Sequence, residues 1–313
     1  MQPQSFSRRA FLAAAAAAPN ALPAQSGPGL KISIFSKHLH WAEWKEMAAV
    51  AKEIGFDSID LTVRKGGHVL PERVAEDLPK AAEIVRQVGL EMAMITTDIS
   101  DVRTPHAEAI LKTASALGIH HYRWGLLRYK DSGHPMEQLR GFVAATRELG
   151  AMSARYKMHG MYHTHSGINQ VGAPQWDLYT LFQEAGSPWL GYNYDIGHAT
   201  AEGGYGGWLL STRLAAPMMK GVALKDFLWT KAKNGEWRPQ WCPLGTGMVN
   251  LPKFFALIKE ANFNGPLQIH YEYPLGGADT GQKKVTIDKP ALIAIMRKDL
   301  LYTRELLKQT GLA

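Results

Sequence analysis

The sequence predicts an α/β fold, a single (β/α)8 TIM barrel, and three observations carry that prediction. Strand-like runs alternate with helix-like segments eight times over residues 31–307, at roughly thirty-residue spacing. No strand-only region or second domain interrupts the alternation, which implies a parallel sheet. Polar and ionisable residues gather where the strand-like runs end, the rim that carries active sites in such barrels. At 313 residues the chain is as long as two average domains, yet barrels of this kind reach that length as one. No GxGxxG or phosphate-binding loop follows any strand, which argues against a dinucleotide or nucleotide fold.

The elements follow in order. Strands are expected at residues 31–35, 57–61, 90–95, 120–124, 158–163, 190–195, 220–225 and 266–271. The first helix, 41–54, has Trp44, Met47, Ala48 and Ala51 at helical spacing and Gly55 as its stop. The second, 71–88, carries proline in its first turn and Gly89 at its end. Helices follow at 103–117, closed by Gly118, and at 137–156, 175–185, 208–216 (cut by Pro217), 251–261 and 287–307. Residues 227–243, with Trp229, Trp237 and Trp241, read as a loop that closes over the rim.

Composition narrows the function. The chain is 46% hydrophobic and 20% charged, as in a soluble globular protein. Its net charge of +7 comes without a dense Lys/Arg block, which argues against a nucleic-acid partner. Ser7-Arg8-Arg9-Ala10-Phe11-Leu12, an alanine run at 13–18 and the exit Leu22-Pro23-Ala24 predict a twin-arginine export signal over residues 1–24. A linker over 25–30 and a barrel domain over 31–313 complete the layout, and the destination is periplasmic or secreted. The apolar run is too short to span a bilayer, so no stable membrane insertion is expected. Cys242 is alone, which precludes an internal disulfide, and no base adjoins it in sequence. The sequence is compatible with a homo-oligomer without specifying one.

The candidate site lies on the rim. Residues 190–199, LGYNYDIGHA, end a strand on Asp195 and place His198 three residues on. Such a pair holds a metal ion or a sugar hydroxyl; alternatively Asp195 caps the next helix and His198 packs locally. His163 with His165, and His270 with Glu272, are two apart and share a strand face. With Asp195 they form a nitrogen/oxygen set from strands five, six and eight that suits Mn, Zn, Fe or Co over calcium. Arg64, His68, Arg123 and Trp124, with Lys37, end other strands and are candidates for holding a small carbohydrate; Lys225 and Asp226 end the seventh.

Five segments now carry a resemblance: YDIGHA, LKDF, PLGTGMVNLPKFF, GPLQIHYEY and YHTHSG. Their order and spacing resemble the xylose isomerase-like barrel superfamily, the sugar phosphate isomerases/epimerases, with ketose 3-epimerases, inosose dehydratases and related sugar lyases. The resemblance covers residues 31–302. It implies a divalent metal bound by Asp195 and Glu272, substrate contacts from His198 and His270, and Glu272 as a base. Two positions depart from it. His163 stands where the epimerases have glutamate, and Ala223 where strand seven supplies a histidine ligand. His163 or His165 must then provide the nitrogen. The implied activity is isomerisation or epimerisation through an enediolate, with Glu272, Lys225 and His163 catalytic. Replacement of one glutamate leaves elimination from a 3-keto-sugar or keto-glycoside as an alternative, and Ala223 leaves a non-catalytic exported sugar-binding barrel as another.

Overall fold

Lys31 onward is built from short runs rich in Ile, Leu, Val and Tyr, and these form strands buried on both faces. The structure is a computed structural model that describes residues 29–313; the export signal and residues 25–28 of the linker lie outside them. In chain order the elements are β1 (Ile32–Phe35), α1 (Trp44–Ile54), β2 (Ser58–Val63), α2 (Val74–Gln87), β3 (Glu91–Thr97), α3 (Ala107–Ala116), β4 (His121–Trp124) and α4 (Pro135–Arg155). There follow β5 (His159–His163), α5 (Trp176–Ala185), β6 (Leu190–Asp195), α6 (Ile196–Gly203), α7 (Gly207–Ala215), β7 (Met219–Leu224), β8 (Asp226–Lys231), β9 (Trp237–Cys242), α8 (Leu251–Glu260), β10 (Leu267–Ile269) and α9 (Lys289–Thr310). Eight parallel strands close a barrel in the order β1-β10-β7-β6-β5-β4-β3-β2. β1 pairs with both β2 and β10, which completes the cylinder. Among the described residues no helix is long and apolar enough to cross a membrane.

Strand alternation sorts side chains between two environments. Tyrosines face the helical shell, where each hydroxyl finds a partner. Tyr122 meets Ser153 of α4, Tyr194 meets Thr212 of α7, and Tyr271 donates to the Met296 carbonyl of α9. The inner face is more polar. Asn193 and Gln268 exchange hydrogen bonds of 3.3 and 3.2 Å across β7. The residues two further on, Asp195 and His270, therefore point into the barrel one layer higher, toward its mouth. The same alternation carries Met161 to His163 and Ala223 to Lys225.

Three departures from the expected elements matter. The chain turns directly from β6 into α6, so His198 sits in a helical first turn; Asp195 is its N-cap and accepts from the His198 amide at 3.0 Å. Residues 227–243 form not an irregular loop but the antiparallel hairpin β8–β9. The last barrel strand stops at Ile269, and His270 and Glu272 lie in irregular backbone, although the His270 amide still donates to the Leu224 carbonyl.

Gly191 tests how tightly β6 is set. A Cβ there would overlap the Met218 carbonyl oxygen and meet the Lys220 side chain at 2.8 Å. Gly191→Ala should lower stability by about 1–3 kcal/mol through overpacking, read as a depressed melting temperature by circular dichroism. An unchanged melt would show that this turn yields freely.

Candidate active site at the barrel mouth

Lys225, just past β7, is the hub. Its side chain is only 1% exposed, and its ammonium donates to Glu272 Oε2 at 2.8 Å and to His198 Nε2 at 2.9 Å. It also lies 3.1 Å from Asp195 Oδ2 as an ion pair, without hydrogen-bond geometry. Because His198 Nε2 accepts from an ammonium, its Nδ1 carries the proton and donates to Ser166 Oγ at 2.7 Å. Burial and the Lys225 charge keep His198 neutral, its pKa well below the usual imidazole value. The Trp241 ring from β9 covers this hub, 4.8 Å from His198 and 4.7 Å from the Lys225 ammonium.

The two carboxylates differ. Glu272 is 24% exposed and is clamped from its other oxygen by Lys37 at 3.2 Å. Burial opposes its charge, but the Lys225 and Lys37 ammoniums outweigh burial and hold it well below the carboxylate range. Asp195 is fully buried, and burial pushes it up to about 6 despite Lys225 and the His198 amide.

Beside Asp195 stand His163 and His270. Their rings stack at 5.0 Å, and His163 Nε2 lies 3.4 Å from Asp195 Oδ2. His270 Nε2 faces Gln268 Oε1 at 3.3 Å and must donate to it, which leaves Nδ1 as a lone pair. Both imidazoles are held neutral by burial foremost. His163 Nε2, Asp195 Oδ2 and His270 Nδ1 are buried without hydrogen-bond partners, and one ligand atom from each residue fits within 4.8 Å of the others. Orphaned lone pairs of two imidazoles and a carboxylate, one imidazole oriented by Gln268, fit a divalent transition metal. His163, His165 and His198 form a second group, but both His198 nitrogens have partners and His165 Nδ1 faces the His163 carbonyl.

The expected ligand set is therefore regrouped. His163 and Asp195 stand together as expected. His270, counted in the nitrogen/oxygen set and also as a substrate contact, joins them. Glu272 lies between two lysines, and His165, pushed down to about 3 by burial first, falls in the other group. His68 is remote in role: Nε2 faces the Leu39 and Ala42 carbonyls and Nδ1 the Ser36 and Thr62 hydroxyls, pinning the turn after β1. Trp124 is fully buried against Tyr162 on the outward strand face and presents no surface to a ligand. Arg64 and Arg123 do reach the mouth, over the Phe35 ring. Asp226, also on the rim in sequence, faces away: it accepts from the amides of Phe227, Gly245, Gly247 and Val249 and so shapes the glycine-rich loop. Gln268, Ser166 and Phe35 escaped the sequence reading. The two-residue step from Gln268 to His270 to Glu272 was the one available signal for Gln268.

Fold and site together define a (β/α)8 barrel with a cluster of ionisable side chains at the C-terminal ends of its strands. The sequence model described as "Xylose isomerase-like TIM barrel" matches residues 48–291, most of the chain, and the protein belongs to that family. Solved structures share the fold at low identity. A D-allulose 3-epimerase from Methylomonas sp. superposes with a TM-score of 0.64 at 17% identity, over 90% of this chain and 99% of that one. An IOLI protein with a bound zinc atom gives 0.68 at 14%, over 89% and 99%. A probable 3-DHS dehydratase, AsbF, from Bacillus anthracis gives 0.65 at 17%, over 87% and 99%. No curated protein sequence matches the chain.

Removing the hub cation tests the cluster. Lys225→Met leaves Asp195 buried and uncompensated and should cost about 3–5 kcal/mol of stability by denaturant titration. Adding Asp195→Asn should restore part of that loss, because the two residues are directly coupled. Strict additivity of the two changes would refute the coupling.

Proposed function

We propose that this protein is a carbohydrate-modifying enzyme of the isomerase/epimerase type, which removes a proton from the carbon beside a sugar carbonyl. One observation carries the reading. The Glu272 carboxylate opens to the mouth, clamped by Lys225 and Lys37, next to the His163–Asp195–His270 donor set. The 3-epimerase, zinc-bearing and dehydratase relatives in fold support it.

In this reading Glu272 is the base. It is ionised and is the carboxylate of the cluster with open surface. Its Oε2 lies 2.8 Å from the Lys225 ammonium, and the Lys225 and Lys37 charges stabilise negative charge that develops on substrate oxygen. Those same charges weaken Glu272 as a base, so the substrate carbonyl needs strong activation. A divalent metal held by His163, Asp195 and His270, whether Mn, Co, Zn or Fe, would supply it by polarising the carbonyl. His198, fixed by Ser166, orients Lys225. Residues 1–24, as an export signal, would place the reaction in the periplasm or outside the cell.

Elimination is the second reading, and the second face of the substrate favours it. Epimerisation needs a proton carrier on each face, yet His165 is pushed down to about 3 and His163 is buried. In elimination Glu272 takes the proton beside the carbonyl of a 3-keto-sugar or keto-glycoside, a carbon–carbon double bond forms, and the departing oxygen leaves as water or an alcohol with a proton from Lys225.

Incubation with a 3-keto-glucoside in deuterated water separates the readings by mass spectrometry. Isomerisation conserves the sugar and adds solvent deuterium; elimination releases a fragment. Glu272→Gln should lower kcat by about 10²–10⁴-fold and abolish deuterium exchange; full activity in that variant would remove Glu272 from the chemistry. Chelation should abolish turnover, and Mn, Co, Zn or Fe should restore it. Undiminished turnover after elemental analysis shows the metal gone would reject the metal role.

A further inference from the structure

Four cations face the barrel mouth, and they are not equally paired. Lys225 meets Asp195 and Glu272, and Lys37 meets Glu272. Arg64, just past β2, and Arg123, on β4, have no ion-pair or side-chain hydrogen-bond partner among the described residues. Both guanidiniums nonetheless converge on one ring: Phe35 of β1 lies 5.6 Å from Arg64 and 5.8 Å from Arg123, with the Lys37 ammonium at 5.5 Å. Phe35 in turn stacks on His270 at 4.8 Å, so this cationic corner adjoins the His163–Asp195–His270 group. Both arginines keep part of their surface open to the mouth.

This arrangement is electrostatically unfinished. Burial first, then the Arg64 charge, lowers Arg123 to about 10. Asp60, beneath them, attracts both but pairs with neither; it is held by Thr96 Oγ1, and burial raises it to about 7. The quadrupole of one phenyl ring offsets only part of the repulsion. An oxyanion between the guanidiniums would complete it, because planar forked donors match carboxylate and phosphate oxygens.

We infer that Arg64 and Arg123, with Lys37 alongside, form a subsite that holds the carboxylate or phosphate group of an anionic carbohydrate. The inference rests on the carbohydrate reading above and narrows it. The charged group docks on the β1, β2 and β4 side of the mouth, and the reacting carbon faces Glu272 beyond β10.

Calorimetric titration of the purified protein with D-glucuronate, D-glucose 6-phosphate, D-glucose and inorganic phosphate tests this without turnover. At least one charged sugar should bind tenfold or more tightly than glucose, and the tighter of the two identifies the anion. Arg64→Met and Arg123→Met should each weaken that sugar roughly ten- to a hundredfold and leave glucose unchanged. In the unaltered protein, rising ionic strength should weaken the charged sugar and spare glucose, a readout that survives misfolding of either variant. Equal binding of glucose and both charged sugars, insensitive to salt and to either substitution, would overturn the subsite and leave the carbohydrate reading standing. Inorganic phosphate binding as tightly as the sugar phosphate would retain the anion site and overturn its carbohydrate ligand. No binding by any of the four would overturn both.

Discussion

Lys225 places a buried positive charge among groups from three other parts of the barrel wall. Asp195 comes from the end of β6, His198 from the first turn of α6, and Glu272 from the segment after β10. Burying two charges is costly, and good geometry with further hydrogen bonds is what makes it tolerable. That requirement explains the neighbouring detail. Asp195 accepts the His198 amide, His198 is locked in one tautomer by Ser166, and Glu272 gains a second ammonium from Lys37. Each partner constrains another element, so one ammonium fixes the relative placement of strands far apart in sequence.

The cluster also separates the roles of two carboxylates that look alike in sequence. Glu272, between two ammoniums and partly open, stays ionised. Asp195, closed off and beside neutral imidazoles, is pushed up. A base needs access, and a metal ligand needs enclosure and neighbouring donors, so in the proposed reading environment separates the two parts. The histidine ligand that the family resemblance places at Ala223 is missing, and the nitrogen nearest Asp195 on the adjoining segment is His270. Gln268 pairs in register with Ala223, and His270 lies two residues beyond it. In the proposed reading the ligand function has moved one strand over.

Much was legible in advance because strand and helix periods are local. The eight-unit alternation gave the barrel, and the step of two gave the inward faces carrying His163, Asp195, His270 and Glu272. His68 and Trp124 were misassigned for a physical reason: nearness to a strand end says nothing of which way a side chain turns. Trp124 occupies the outward parity with Tyr162, and His68 lies in a turn whose carbonyls and hydroxyls claim both nitrogens. The helix start at Ile196 was ambiguous because Asp195 serves as both N-cap and pocket carboxylate.

By itself the sequence determined the order of the barrel strands, the inward face that carries His163, Asp195 and His270, and the family, since all of these follow from short-range periodicity and motif spacing. Tertiary structure alone decided which residues meet. Closure of β1 on β10 brings Lys37 to Glu272 and the Phe35 ring to His270, and Arg64 and Arg123 to that same ring. Those contacts depend on the stagger and closure of the whole cylinder, which no local stretch encodes.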